Sequence, residues 1–290
     1  MADAWVETPK ALVLVDFSAI AYACWATAER AEAAGKEALG NHVLACPLCR
    51  DPSLASGCQL QPKQYDPHEV LKSNLKMKLA TIVEDTPVTE PYELVMVLDS
   101  HPKWKYDAMP DYKANREERF NPRPEAEAFL REAYPSMQWV KAPGQEADDA
   151  IATLVRVNRG QRPCVIASGD KDLWALFDPP HVRVYNPITQ KYLEPEKVGE
   201  KFHGLEPQHI RAAKAFWGDP SDGLPNVAPR QQKQLVPLIK AANGDLMKVI
   251  ELASTQANEK CRDLLLSNVD KVFLNWKMAG LNDDVQLEWQ

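Results

Sequence analysis

The sequence predicts an α/β protein, a mostly parallel central sheet flanked by helices, followed by a wholly helical last third. Three observations carry that expectation. Short apolar, β-branched runs alternate with helical patterns over the first two thirds of the chain, and such alternation builds parallel sheets. Each run is bounded by turn residues, the mark of a strand buried on both faces. From about residue 194 the spacing turns helical throughout, with several segments opened by proline near the first turn.

The elements follow in order. ALVLV at 11–15 is a strand that ends at Asp16. Residues 17–34 are alanine-rich and helical, with Gly35 placed to stop the helix, and 36–64 mix Cys, Pro, Gly and Ser and read as irregular. Residues 67–84 set Val70, Leu71, Leu75, Leu79 and Ile82 on one helical face. ELVMVL at 93–98 is a second strand, followed by Asp99. Residues 101–120 are rich in cations and rings. A helix over 125–134 is closed by Pro135, and a short strand covers 137–140. A helix over 144–158 carries Glu146, Asp148 and Asp149 in its first turn. The stretch PCVIASGDKDLWAL at 163–176 gives a strand at 164–167, two small residues, then Asp170 and Asp172. Residues 181–184 and 191–193 suit a small hairpin. The spans 195–203, 207–217, 229–243, 245–256 and 258–273 read as helices, and no internal repeat or low-complexity tract is present.

At 290 residues and 45% apolar composition the chain can bury a sizeable core in one or two domains. It has no apolar run long enough for a membrane span, and MADAWVETPK lacks the basic-then-apolar layout of a signal peptide. A cytoplasmic location is expected, with no membrane partner. Six cysteines are too few for a disulfide scaffold in a chain of this length.

Carboxylates supply the functional signal. Five segments deliver acids to strand ends or helix starts: Asp16; Asp99; Glu146, Asp148 and Asp149; Asp170 and Asp172; and Asp219 with Asp222 in GDPSDG. Open α/β sheets bind ligands beyond the C-terminal ends of their strands. One aspartate there is an ordinary turn residue, and two in a first helical turn complement the helix dipole; five such segments together are not explained that way. At ~4 Å and an effective dielectric near 20, each like-charged pair costs about 4 kcal/mol. Mg²⁺ or Mn²⁺ is the natural counterion, and two such ions clamp both the attacking and leaving oxygens of a phosphodiester. Setting nine acids aside turns the net charge of −7 into +2, so the acidic total does not exclude a nucleic-acid partner.

Taken in order, Asp16, Asp99, PDYKANR (110–116), GQEADD (144–149), SGDKDL (168–173) and GDPSDGLPNV (218–227) resemble the flap endonuclease / 5′–3′ exonuclease superfamily. The likeness is to the short phage or bacterial type without an attached polymerase, and it covers roughly residues 11–245. It implies a PIN-like α/β nuclease domain over 1–205, with an arch at about 100–134 and a Cys-containing insertion at 36–64. Residues 206–290 would form a helical module of helix–hairpin or helix–three-turn–helix type that grips duplex DNA. It implies one metal group drawn from Asp16, Asp99, Glu146, Asp148 and Asp170, and a second from Asp149, Asp172, Asp219 and Asp222. It also implies that a 5′ single strand passes through the arch, above the Tyr-Lys-x-x-Arg element.

In that arch Lys103, Trp104, Lys105, Tyr106, Tyr112, Lys113, Arg116, Arg119 and Arg123 interleave cations with rings. Cations neutralise phosphates, and rings stack on unpaired bases at about 1–3 kcal/mol each. The competing reading is a solvated loop with core aromatics. Lys113 and Arg116 are the candidates for stabilising charge on the scissile phosphate, together with Asp170 in the catalytic set, and Tyr112 for stacking on a terminal base. The family's Gly-x-Gly-x-Lys-Thr/Ser hairpin is replaced by NVAPRQQKQL. Without its glycines a K⁺ site is not expected, and Arg230 and Lys233 are left as phosphate contacts.

His42, Cys46, Cys49 and Cys58 read H-x₃-C-x₂-C-x₈-C, a spacing that could hold a structural Zn²⁺. His68 is an alternative fourth ligand, and an ordinary insertion with free thiols is the alternative to any metal. Cys24, Cys164 and Cys261 read as core residues.

The expected function is therefore a divalent-metal-dependent 5′ nuclease acting on DNA with 5′ single-stranded ends, flaps or nicks. The setting would be replication, recombination or repair, alongside replication proteins, in a bacterial cytosol or a phage-infected host. The alternatives are a PIN-type ribonuclease and a DNA-binding protein that keeps the fold without cleaving. Asp16-Phe17-Ser18 lacks the Asp-x-Asp of an aspartyl phosphatase.

Overall fold

In chain order the elements are β1 (Ala11–Asp16), α1 (Phe17–Ala45), α2 (Pro47–Arg50), α3 (Pro67–Asp85), β2 (Tyr92–Leu98), α4 (Lys103–Ala108) and α5 (Arg123–Ala133). Then come β3 (Gln138–Lys141), α6 (Ala147–Asn158), β4 (Cys164–Ala167), a 3₁₀ turn (Asp172–Leu176), β5 (Val182–Asn186) and β6 (Lys191–Tyr192). The helical part holds α7 (Pro195–Lys201), α8 (Ile210–Trp217), α9 (Gln232–Ala241), α10 (Leu246–Gln256), α11 (Glu259–Leu266) and α12 (Val269–Met278), and β7 (Glu288–Trp289) ends it. This computed structural model describes residues 10–50, 58, 62–86, 91–117 and 119–290, with backbone only at 47 and 48. None of the described helices is long and apolar enough to cross a membrane.

The chain divides into two compact units: Met1–Asp16, Thr86–Arg119 and Met137–Gln290 form one, Phe17–Asp85 and Phe120–Ser136 the other. The first unit holds a seven-stranded sheet in the order β6-β5-β4-β1-β2-β3-β7. Its five central strands are parallel, and β6 and β7 pair antiparallel at the two edges. Leu12 and Leu14 of β1, Val95 and Val97 of β2 and Ile166 of β4 pack under Ala150, Ile151 and Leu154 of α6. Each such side chain contributes about 1.5–3 kcal/mol by leaving water. Val13 and Val15, on the opposite face of β1, are buried as well, which is why the strand reads as a continuous apolar run. The chain lays β2 and β3 on one side of β1, then returns to put β4 on the other. The crevice of such a sheet opens at that reversal, beyond the C-terminal strand ends. Asp16, Asp99 and the Ser168–Asp172 loop leave the strands there. A second core, with Ile210, Phe216, Leu235, Ile239, Val249, Leu265 and Val272, fills the helical part.

In the second unit α1 packs along α3, and both meet α5. Leu71, Leu75, Leu79 and Ile82 are the buried face of α3, as its spacing predicts. His68 lies against Trp25 and Phe120, at 5.3 and 5.8 Å between ring centroids, and its Nδ1 is 2.6 Å from Glu125 Oε2. The hydrogen bond to Glu125 is the main reason that the His68 pKa is raised. A histidine with a raised folded-state pKa adds stability below its unfolded value, and loses that stability as pH rises through the folded value. Glu125→Gln is therefore expected to bring the His68 titration, followed by NMR, down toward the ordinary value. It should remove stability at about pH 6 and leave it unchanged at about pH 9. Equal loss at both would mean that Glu125 acts through packing alone.

Several boundaries differ from the sequence reading. Helix α1 does not stop at Gly35 but runs on to Ala45. Gly35 is there for proximity: a Cβ would stand 3.2 Å from the Lys63 carbonyl oxygen, and Gln64 Nε2 donates to the Gly35 carbonyl at 3.0 Å. Residues 36–45 are thus helical, not irregular. The helix expected over 258–273 is two, α11 and α12, and the second continues to Met278. Ser267 Oγ and Asn268 Nδ2 bond back to the Asp263 and Leu264 carbonyls at the break, a competition that ends helices. Helix α9 begins at Gln232 rather than 229. The amides of Val227 and Ala228 both donate to the Phe216 carbonyl, 3.0 Å each, and Arg230 takes a left-handed φ of 63°. Strand β7 was not foreseen; two residues carry no periodicity.

Candidate metal centre

The centre lies wholly in the sheet-containing unit. Asp16, the last residue of β1, accepts a 2.7 Å hydrogen bond from Ser168 Oγ. Asp99 follows β2, and its Oδ1 accepts from the Ala147 amide at 3.0 Å, pinning the start of α6. Gly144 turns the chain into α6 with φ 73°; Glu146 is the N-cap, and Asp148 and Asp149 occupy the first turn. Beyond β4, Ser168 Oγ accepts from the Asp170 amide at 3.0 Å, and Asp170 Oδ1 from the Asp172 amide at 2.9 Å. The small residues between β4 and its acids thus serve to fold the loop on itself.

Asp219 and Asp222 are positioned by two glycines. Gly218 has φ 68°, and a Cβ on it would stand 2.3 Å from the Leu224 carbonyl oxygen. Gly223 has φ 78° and lies under the Asp111 carbonyl, 3.0 Å from where its Cβ would be. The Lys113 amide donates to the Asp222 carbonyl at 3.2 Å, which fixes the 110–116 turn against this loop. Lys113 itself has φ 59°, a strained backbone of order 1–3 kcal/mol for a residue with a side chain.

Glu146, Asp148, Asp170, Asp172 and Asp222 line one crevice with Lys105, Lys113 and Arg116, and residues 278–281 form part of its wall. The acids fall into sets by how they are neutralised. Burial would raise the Glu146 pKa, but ion pairs with Lys105 and Lys113 outweigh it and hold the carboxyl at about 2. Asp222 accepts from Arg116 Nη2 at 3.0 Å and lies 3.9 Å from Lys113 Nζ, yet burial keeps its pKa raised. Lys214 of α8 pairs with Asp172 and, at 2.7 Å, with Asp219. Lys214 and Ser221 lower the Asp219 pKa against the effect of burial, whereas burial and the neighbouring Asp170 leave Asp172 raised. Asp148 is different. Burial first, then the charges of Asp170, Asp16, Asp172 and Asp99, push its pKa far above the aspartate range. A carboxylate set among four others fits a hard divalent cation bound through oxygen, and the donors Asp148, Asp170, Asp16 and Asp99 suit such an ion. Asp172, Asp219 and Asp222 are instead faced by Lys214, Arg116 and Lys113.

Asp149 stands apart from the crevice lining. It is 1% exposed, and its Oδ1 accepts from the Asn282 amide at 2.8 Å. Its other oxygen has no hydrogen-bond partner among the described residues. Through Asn282 it anchors the segment that walls the crevice at 278–281. Two expected DNA contacts are corrected. Lys105 is buried, 6% exposed, on Glu146, because the amphipathic turn of α4 points it inward. The ring of Tyr112 is 1% exposed and edge-on to Tyr106, and its hydroxyl donates to Glu146 at 3.0 Å. It is therefore packed in the core of this turn and does not offer a face to a base. Lys103, Arg116, Arg119, Arg230 and Lys233 are exposed and Arg123 half-buried. Lys103 pairs with Asp107 and Arg119 with Glu117. Arg230 and Lys233 sit at the turn into α9. Sequence reasoning missed Lys214. The signal was its place beside Ile210 and Ala213 on the apolar stripe of α8, where a lysine needs an acid to face.

The fold and crevice define an α/β protein with a carboxylate centre at the sheet's topological switch. The model of the 5′-3′ exonuclease N-terminal resolvase-like domain matches residues 57–203, and the chain belongs to that family. A DNA polymerase I of Rhizobium leguminosarum is 30% identical over 223 residues, 74% of this chain and 21% of that protein. A 5′-3′ exonuclease of Mycobacterium tuberculosis is 31% identical over 191 residues, 58% of this chain and 59% of that one. The flap endonuclease Xni of Yersinia enterocolitica is 28% identical, covering 69% of this chain and 80% of its own. The chain thus spans only 21% and 59% of the first two relatives. A flap endonuclease of bacteriophage T5, solved with DNA and metal ions, superimposes with a TM-score of 0.61 at 15% identity, covering 94% of this chain and 90% of that one. T5 5′-exonuclease solved with zinc gives 0.62, again at 15% identity and with 94% and 90% covered. At such identity the likeness establishes the fold.

Proposed function

We propose that the chain is a divalent-metal-dependent 5′ nuclease that hydrolyses DNA phosphodiesters at 5′ ends or single-strand/duplex junctions. The observation that carries this reading is Asp148, buried among the charges of four other aspartates in a crevice edged by Lys113 and Arg116. Acids alone would bind a cation; acids beside two cationic side chains suit a cation together with a phosphate. Mg²⁺ or Mn²⁺, as two ions, fits the oxygen donors, and when bound would supply Lewis acidity toward the phosphodiester. Lys113, held between Glu146 and Asp222, and Arg116, more than half exposed, would turn toward the scissile phosphate and stabilise its developing charge. Lys103, Arg119, Arg123, Arg230 and Lys233 would contact phosphates away from the scissile bond. Hydrolysis would leave a 5′-phosphate and a 3′-hydroxyl. The names of the mycobacterial, Yersinia and T5 proteins agree with this reading, which extends to replication or repair in the cytoplasm, alongside replication proteins.

The test is a gel with 5′-flap, 5′-overhang, nicked and single-stranded DNA and a matched RNA. Each is incubated with Mg²⁺, with EDTA, and with Asp170→Ala. Cleavage of DNA that needs Mg²⁺ and Asp170 is expected. Cleavage of RNA alone, or DNA binding with no cleavage in Mg²⁺ or in a parallel Mn²⁺ incubation, would overturn the proposal.

A further inference from the structure

The acids are not the only metal-ligating group in the chain. In the other unit His42, Cys46, Cys49 and Cys58 each bring one ligand atom to within 4.8 Å of all the others. His42 lies in the last turn of α1 and Cys46 directly follows the helix, its amide donating to the His42 carbonyl at 2.8 Å, so the two side chains leave one face of that turn. Cys49 comes from α2 and is 5% exposed. Cys58 arrives from twelve residues beyond Cys46 in the chain, with its Sγ 3.7 Å from Cys46 Sγ and 3.3 Å from His42 Nε2.

Those distances exclude a disulfide and match the edges of a metal site; the metal analysis below separates that site from free thiols in hydrogen-bond contact. A disulfide needs about 2.05 Å between sulfurs, and no disulfide links any of the six cysteines. With Zn–S near 2.3 Å and Zn–N near 2.0–2.1 Å, a tetrahedral site has edges of about 3.8 Å between sulfurs and about 3.5 Å between sulfur and nitrogen. The Cys46–Cys58 and His42–Cys58 separations lie close to those edges. The alternative ligand His68 is engaged elsewhere, with Nδ1 on Glu125. We propose that His42, Cys46, Cys49 and Cys58 form a structural Zn²⁺ site that ties Cys58 to the end of α1. Three thiolates and one imidazole are soft donors that select zinc over the magnesium suited to the carboxylates. A four-ligand site of this kind is closed to substrate and acts on folding. The bound complex would carry a net charge of −1, and Arg50, next to Cys49, is held over this turn by a 2.8 Å bond from its Nε to the Leu44 carbonyl. The proposal is independent of the nuclease reading.

The test uses the full chain purified without chelator and washed with excess Mg²⁺ to strip zinc from the carboxylate centre. About one zinc per chain is expected, released as three thiols are titrated by a mercurial. Asp148→Asn should keep that zinc, and Cys46→Ser with Cys49→Ser should lose it. Should the double variant fail to fold, the wild-type chain refolded with Co²⁺ alone provides the second readout. Sulfur-to-cobalt charge-transfer bands are expected, which an oxygen-donor centre cannot give. Less than a tenth of an equivalent of zinc would overturn the proposal. So would the absence of those bands, or intact-mass evidence that two of the three thiols are oxidised to a disulfide.

Discussion

Asp148→Asn is expected to lower cleavage of a 5′-flap substrate by roughly 10³-fold or more while raising the melting temperature of the metal-free protein. The two effects have one origin. The Asp148 side chain is buried among the charges of Asp170, Asp16, Asp172 and Asp99, so without a cation it is a source of repulsion. One like pair at ~4 Å is worth about 4 kcal/mol at an effective dielectric of 20. Relief of a quarter of one pair is about 1 kcal/mol, or roughly 2–4 °C in a unit of this size. Asparagine keeps the volume and the hydrogen-bonding reach but not the charge, so the fold survives the change. Saturating Mg²⁺ should reverse the order, because the wild type gains more from binding an ion than the variant does. The check is a pair of melting curves for each protein, with Mg²⁺ and with EDTA, beside a cleavage assay. A variant that melts lower than wild type in EDTA would show Asp148 held by favourable contacts, not by a missing ion.

The parts of this centre that the sequence made legible are those that depend on strand ends. ALVLVD and ELVMVLD put Asp16 and Asp99 at the C-terminal edge because a buried parallel strand is a visible apolar run, and its last residue is fixed by where the run stops. CVIASGD does the same for Asp170. What was not legible depends on which way a side chain turns. Lys105, Tyr112 and Lys113 belong to one basic, aromatic stretch, and composition does not separate a ring that faces solvent from one at 1% exposure. Gly35 shows the same limit for the backbone. A glycine that ends a helix and a glycine that lets another segment approach are the same letter, and only the Lys63 carbonyl beside it tells them apart. The resemblance places Asp149 in the second metal group; what it does not announce is that one oxygen of the same carboxylate accepts from the Asn282 amide, a partner more than a hundred residues away that no local pattern marks.

The residue that sequence reading passed over carries the largest expected effect on stability. Lys214→Met is expected to lower metal-free stability by roughly 3–5 kcal/mol, since removing one member of a buried ion pair leaves the other uncompensated, with a fall in melting temperature on the order of 10 °C. Lys214 is 6% exposed and is shared by Asp172 and Asp219; methionine fills similar space without a charge. Much of the loss should return with Mn²⁺ or Mg²⁺, because the two acids deprived of the lysine become free to take an ion. The ammonium and a second divalent ion are then competitors for the same two carboxylates. On the two-ion reading proposed above, a second ion in the wild type would have to displace Lys214 or share the acids with it, so it should bind more weakly than the ion at Asp148, and the variant should narrow that difference. Titration calorimetry with Mn²⁺ measures both steps. If the second step in Lys214→Met is no tighter than in wild type, and the metal restores none of the lost stability, Lys214 is a scaffold cation and Asp172 and Asp219 do not form an ion site.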